Sequence, residues 1–82
     1  MDQTEGIRRS LVRAINLDPG SREALESEHG QVWDTNQLRK DFDVEGFAAP
    51  FVWVRRKSDG KLGTLIFQHH PRYYFSFQPY RA

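Results

Sequence analysis

Phe51-Val52-Trp53-Val54-Arg55-Arg56-Lys57-Ser58-Asp59-Gly60-Lys61-Leu62-Gly63-Thr64-Leu65-Ile66-Phe67-Gln68-His69 is the stretch whose reading decides the fold. Its first six residues are β-branched, aromatic or long, and they favour extended backbone. Ser58-Asp59-Gly60 is a hairpin turn signal, and Lys61 to His69 is the return strand. Gly63 inside that strand marks a bulge or a close backbone approach. A turn centred on Asp59 sets Trp53 opposite Leu65 and Phe51 opposite Phe67. Val52 and Val54 then share the other face with Ile66 and Thr64. Both faces of the hairpin are apolar near its base and polar near its tip.

Downstream, His70-Pro71 makes a second turn, and Tyr73, Phe75 and Phe77 alternate with Tyr74, Ser76 and Gln78 as a third strand. Upstream, Ala48-Ala49-Pro50 is a boundary, because the residue before proline is pushed away from helix. Thr4 caps a first helix in which Ile7, Leu11 and Ile15 recur at four-residue spacing, with Arg8, Arg9 and Arg13 on the other side. Asp18-Pro19 suits the start of a second helix that runs through Leu25 and stops at Gly30. Gln31-Val32-Trp33 is a connector. Asp34 and Gln37 have capping-box spacing, and Leu38 and Phe42 share one face of a third short helix. Val44-Glu45-Gly46-Phe47 leaves that helix in extended form. The expected architecture is a single α+β domain, 1–82, with two or three N-terminal helices packed on a three-stranded antiparallel β-meander. So few helices cover only one sheet face, which leaves the other as an exposed aromatic patch or a dimer interface.

The chain has 82 residues, 38% of them hydrophobic, and no cysteine. Disulfides, thiolate metal sites and cysteine nucleophiles are therefore excluded. No run approaches the ~18 apolar residues of a membrane span. The N-terminus lacks the apolar stretch of a secretory signal, so a cytoplasmic protein without a membrane partner is expected. Charge is unevenly divided. Residues 1–45 carry six Lys/Arg and ten Asp/Glu, net −4, whereas 46–82 carry six Lys/Arg and one acid, net +5. Nine of the eleven aromatics lie in the second part. Such polarity steers encounters with charged partners. The plainer explanation is that acidic helices neutralise the edge of a basic sheet.

Arg55, Arg56, Lys57 and Lys61 surround one hairpin tip, and Arg72, Tyr73 and Tyr74 follow at the next turn. Cations there would meet phosphates and the rings would stack on bases. The competing explanation is that Lys and Arg keep an exposed hairpin soluble. A winged helix-turn-helix is a further possibility, with Thr35, Asn36, Gln37, Arg39 and Lys40 facing bases. Against it stand Asp34, Asp41 and Asp43, which would repel phosphate. His69 and His70 diverge along an extended chain and His29 is remote in sequence, so no metal site and no cofactor is expected. No nucleophile motif accompanies them, and Ser58 and Ser76 lack an elbow. Gly60-Lys61-Leu62-Gly63-Thr64 has no helix behind it and is not a phosphate loop. Phe51, Trp53, Phe67, Tyr73, Phe75 and Phe77 are expected in the core, with the polar tips of Tyr73, Tyr74 and Tyr80 at the surface.

The run Pro50 to Gly60, with Phe67-Gln68-His69 and Pro71-Arg72-Tyr73-Tyr74-Phe75, resembles a pattern in short bacterial, phage and plasmid proteins to which no activity attaches. The resemblance implies a small accessory protein of a mobile element and transfers no functional residue. Two functions are consistent with these residues. One is a non-enzymatic nucleic-acid-binding module using Arg55, Arg56, Lys57, Lys61, Arg72, Tyr73 and Tyr74. The other is a protein-interaction or inhibitor module that docks a partner, or a second copy of itself as a homodimer, through an exposed aromatic sheet face.

Overall fold

The computed structural model describes residues 5–17 and 19–80. Three helices, α1 (Glu5–Leu17), α2 (Arg22–His29) and α3 (Thr35–Asp41), accompany five strands. These are β1 (Val32–Trp33), β2 (Phe42–Ala48), β3 (Phe51–Arg56), β4 (Leu62–Gln68) and β5 (Tyr73–Pro79). All neighbours are antiparallel, in the order β1-β5-β4-β3-β2. The α+β class agrees with the sequence, but the three-stranded meander is corrected to a five-stranded sheet. The connector Val32-Trp33 is an edge strand on Phe75 and Tyr74. The extended exit from the third helix is a full strand on β3 that begins at Phe42. β2 escaped the period-two reading because its register shifts between Val44 and Gly46, which returns Phe47 rather than Gly46 to the face of Phe42 and Val44.

The helix starts show which caps win. Ser21 accepts from the Ala24 amide and starts α2, three residues later than Asp18-Pro19 suggested. Asp34 and Gln37 form the expected capping box, with Gln37 N donating to Asp34 Oδ1 at 2.7 Å and Asp34 N to Gln37 Oε1 at 3.0 Å. The caps expected at Thr4 and Asp18 lie outside the described residues.

The hairpin register is also corrected. Arg56 N donates to Lys61 O and Gly60 N to Arg56 O, closing a loop of Lys57 to Gly60, with Gly60 at φ 71°. An even loop pairs Trp53 with Thr64 and Val52 with Leu65. Since side chains alternate faces, this one-residue change puts Val52, Val54, Leu65 and Phe67 on one face. β5 carries an extra residue at Ser76, φ 59°, so Phe75 and Phe77 point to opposite faces rather than the same one.

The sheet is curled. Trp33 on β1 and Phe42 on β2 belong to opposite edge strands, yet their rings lie 5.3 Å apart. A flat sheet of five strands would separate those edges by about 19 Å. α3 joins β1 to β2, and a helix of seven residues spans only about 10 Å. The concave face buries Trp33, Phe42, Val52, Val54, Leu65, Phe67 and Tyr74 under Leu38 of α3. On the convex face, Leu25 of α2 packs on Val32 and Phe75, with Ile66 and Tyr73 beside them. Buried Gln68 fastens the α1–α2 loop to this face. Its amide accepts from Gly20 N at 3.1 Å and donates to Gly20 O at 2.8 Å and Pro71 O at 3.0 Å. His69 N donates to Asn16 Oδ1 at 3.0 Å, which anchors the C-terminal end of α1.

Candidate docking surface

The cations singled out from sequence do not converge. Successive turns of a meander lie at opposite ends of its sheet, so the tip with Arg55, Arg56, Lys57 and Lys61 is remote from the turn with Arg72. At the tip, most cations are held by acids. Arg55 donates to Glu45 Oε1 at 3.0 Å and to Gly60 O at 3.0 Å. Arg56 grips Asp59 with two bonds of 3.0 and 2.6 Å, and its guanidinium lies 5.0 Å from the Phe77 ring centre. The hydrogen bond from Arg56 is the main cause holding the Asp59 carboxyl down at about 2, and in return Arg56 is raised. Lys57 donates to Arg39 O at 2.7 Å and lies 3.8 Å from Asp43. Lys61 is exposed, and its amide donates to Asp59.

At the other end, Arg72 is folded over Phe67, 4.8 Å from its ring centre, and donates to His69 Nδ1 at 2.9 Å. Tyr73 is half-buried beside the α2 core. Tyr74, expected at the surface, is only 3% exposed, because it faces Trp33 across the β1–β5 pair within the concave core.

Arg56 and Lys57 join Lys40 around a cleft of about 640 Å³ at the mouth of the curled sheet. Trp33, Phe42 and Phe77 supply its rings, and Asp41, which accepts from Trp33 Nε1 at 2.8 Å, supplies a negative charge. On the convex side Ser76 Oγ lies 3.2 Å from His29 Nδ1, and Glu28 3.5 Å from Nε2. His29 stacks on Phe75 at 4.6 Å, so its ring covers the smaller core. Among the described residues no group of three or more His, Asp or Glu could hold a metal ion, and no helix is long and apolar enough to cross a membrane.

A more apolar concavity lies elsewhere. α1 is fastened at its C-terminal end, and its first two turns stand over the free half of the convex face. Ile7, Arg8 and Leu11 on α1 and Ala48, Phe51, Trp53 and Thr64 on the sheet line a groove of about 630 Å³. Ile7 is 64% exposed and Trp53 37%. The Trp53 ring meets exposed Tyr80 edge-on at 6.0 Å, which extends the apolar surface past the groove. The sequence pointed to an uncovered aromatic sheet face but assigned Trp53 to the core. It also missed Ile7 and Leu11, whose spacing signals an apolar stripe without saying how much sheet lies beneath it. No family model, curated protein or solved structure matches the chain.

Proposed function

We propose that the chain is a non-enzymatic protein-binding module that docks its partner in the groove between α1 and the convex face of the sheet. One observation carries this reading: Ile7 and Leu11 stand over Phe51 and Trp53 and leave large apolar side chains in water. Burying each such side chain is worth about 1.5–3 kcal/mol, and a partner entering the groove recovers it. Exposed contiguous apolar surface with a tryptophan and a tyrosine is the composition of binding hot spots. A photo-crosslinking residue at Leu11 tests the reading in cells. Protein adducts are expected from that position, and Trp53→Ser should remove them. Equal adducts from Ser58, at the remote hairpin tip, would remove the proposal.

The mouth of the sheet favours a second reading, in which one nucleic-acid strand end enters. Lys40, Arg56 and Lys57 would take its phosphates and Phe77 would stack on a base. The acids already paired with Arg56 and Lys57 weaken it. Three neutralised phosphates predict about a 20-fold loss of single-strand affinity between about 50 and 200 mM salt. A labelled oligonucleotide that fails to bind at low salt, or binds equally to the Arg56→Ala, Lys57→Ala variant, removes this alternative.

A further inference from the structure

Arg72 lacks the partner that its burial calls for. A guanidinium partly withdrawn from water is normally neutralised by an acid. Half-buried Arg22 and Arg56 follow that rule, with Glu26 at 3.3 Å and Asp34 at 3.8 Å from the first and Asp59 at 2.6 Å from the second. Arg72 is half-buried as well, but only neutral groups hold it. It donates to His69 Nδ1 at 2.9 Å and to the Tyr74 hydroxyl at 3.4 Å, and its guanidinium lies 4.8 Å from the Phe67 ring centre. No carboxylate among the described residues pairs with it. We infer that Arg72 anchors a binding site for a small organic carboxylate carried on an apolar body.

The site is built before any ligand arrives. The Phe67 ring, the Tyr74 hydroxyl and His69 fix the guanidinium plane, so a forked contact to a carboxylate costs little further ordering. A guanidinium cannot accept a hydrogen bond, so His69 Nδ1 is the acceptor and the His69 proton sits on Nε2, a second donor at the site. Charge then selects the ligand. Arg72 brings one positive charge and neutral His69 adds none, which matches a carboxylate better than the nearly double charge of a phosphate ester. The apolar neighbour is Phe47, 59% exposed, which meets the same Phe67 ring edge-on at 5.7 Å. A ligand therefore lays its body on Phe47 and its charge on Arg72. Phe67 and Tyr74 belong to the concave core, so this site is separate from the groove on the convex face.

Titration of the whole chain with 3-phenylpropionate, followed by NMR at pH 7, tests the inference. Saturable shifts are expected at Phe47, His69 and Arg72, with a Kd of about 1 mM for a ligand of this size. The neutral amide of the same acid should bind about tenfold more weakly, because it lacks the charge-assisted fork. Arg72→Gln should abolish the shifts. Phe47→Ala, at an exposed position that leaves the core intact, should weaken binding about fivefold. Equal binding of acid and amide would overturn the inference, and so would tighter binding of inorganic phosphate at the same residues. Shifts confined to Leu11 and Trp53, which would place the ligand in the groove, or no saturation below about 20 mM, would overturn it as well.

Discussion

Gln68 shows how one side chain governs a fold of this size. It is buried, and its amide satisfies both backbone groups of Gly20 and the Pro71 carbonyl. Gln68→Leu leaves those groups without partners, and a loss of about 2–3 kcal/mol is expected in urea unfolding. Gly63 is a second such position. A Cβ there would lie 2.5 Å from the Phe77 ring and 2.6 Å from Gln78 O. The close approach anticipated from sequence is therefore real, and Gly63→Ala should lower stability by about 2 kcal/mol because a backbone oxygen cannot yield as a side chain can. The Asp59 carboxyl, held at about 2 against an ordinary 3.8, makes the hairpin tip acid-sensitive. Its folded value is depressed, so the stabilisation is present above about pH 4 and is lost as pH falls through 2. A carboxyl titration followed by NMR should show the low value, and Arg56→Ala should return it toward 3.8.

At the scale of elements, α3 and β2 matter most. α3 is only seven residues long, too short to persist alone, and it is held by its cap and by Leu38 in the core. Arg22 adds to the cap by donating to Gln37 Oε1 at 2.7 Å and Val32 O at 3.0 Å. Asp34→Ala should cost about 1 kcal/mol by urea unfolding, since it opens one half of the box. β2 is an edge strand, and its outer backbone could recruit another chain. Asp43, Glu45 and the irregularity before Gly46 guard it, while Val44 and Phe47 are exposed on its concave side. The double variant Asp43→Val, Glu45→Val is expected to self-associate in size-exclusion chromatography where the original chain does not.

For the molecule as a whole, curling the sheet brings its edge strands β1 and β2 together across α3. The curl lets one short helix close the concave core and frees α1 and α2 for the convex side. α2 covers its half of that side completely enough to bury Leu25, Val32 and Phe75. α1, whose C-terminal end is fastened near Asn16 and Gly20, leaves the other half open. The open groove is thus a consequence of having more apolar sheet surface than helix to cover it. The guarded edge predicts a monomer, and sedimentation velocity at tens of micromolar should return a single species near 9.6 kDa.

Signals that act within a few residues were legible in the sequence by itself: the stop at Gly30, the Asp34–Gln37 cap, the β3–β4 hairpin, the division of charge, and an aromatic sheet face without cover. The first three depend on side chains bonding to nearby backbone or on local apolar spacing, so neighbouring residues are enough to read them. Tertiary structure decided the rest. Val32 and Trp33 are strand residues only because β5 folds back beside them. A four-residue loop and the irregularities at Glu45 and Ser76 chose which faces Trp53, Phe75 and Phe77 occupy, and one added residue reverses every side chain beyond it. Arg55 and Lys57 at the tip found Glu45 and Asp43 on β2, and Lys57 also found the Arg39 carbonyl of α3. The open groove depends on where α1 comes to rest over the sheet, which is a property of packing and not of any local pattern.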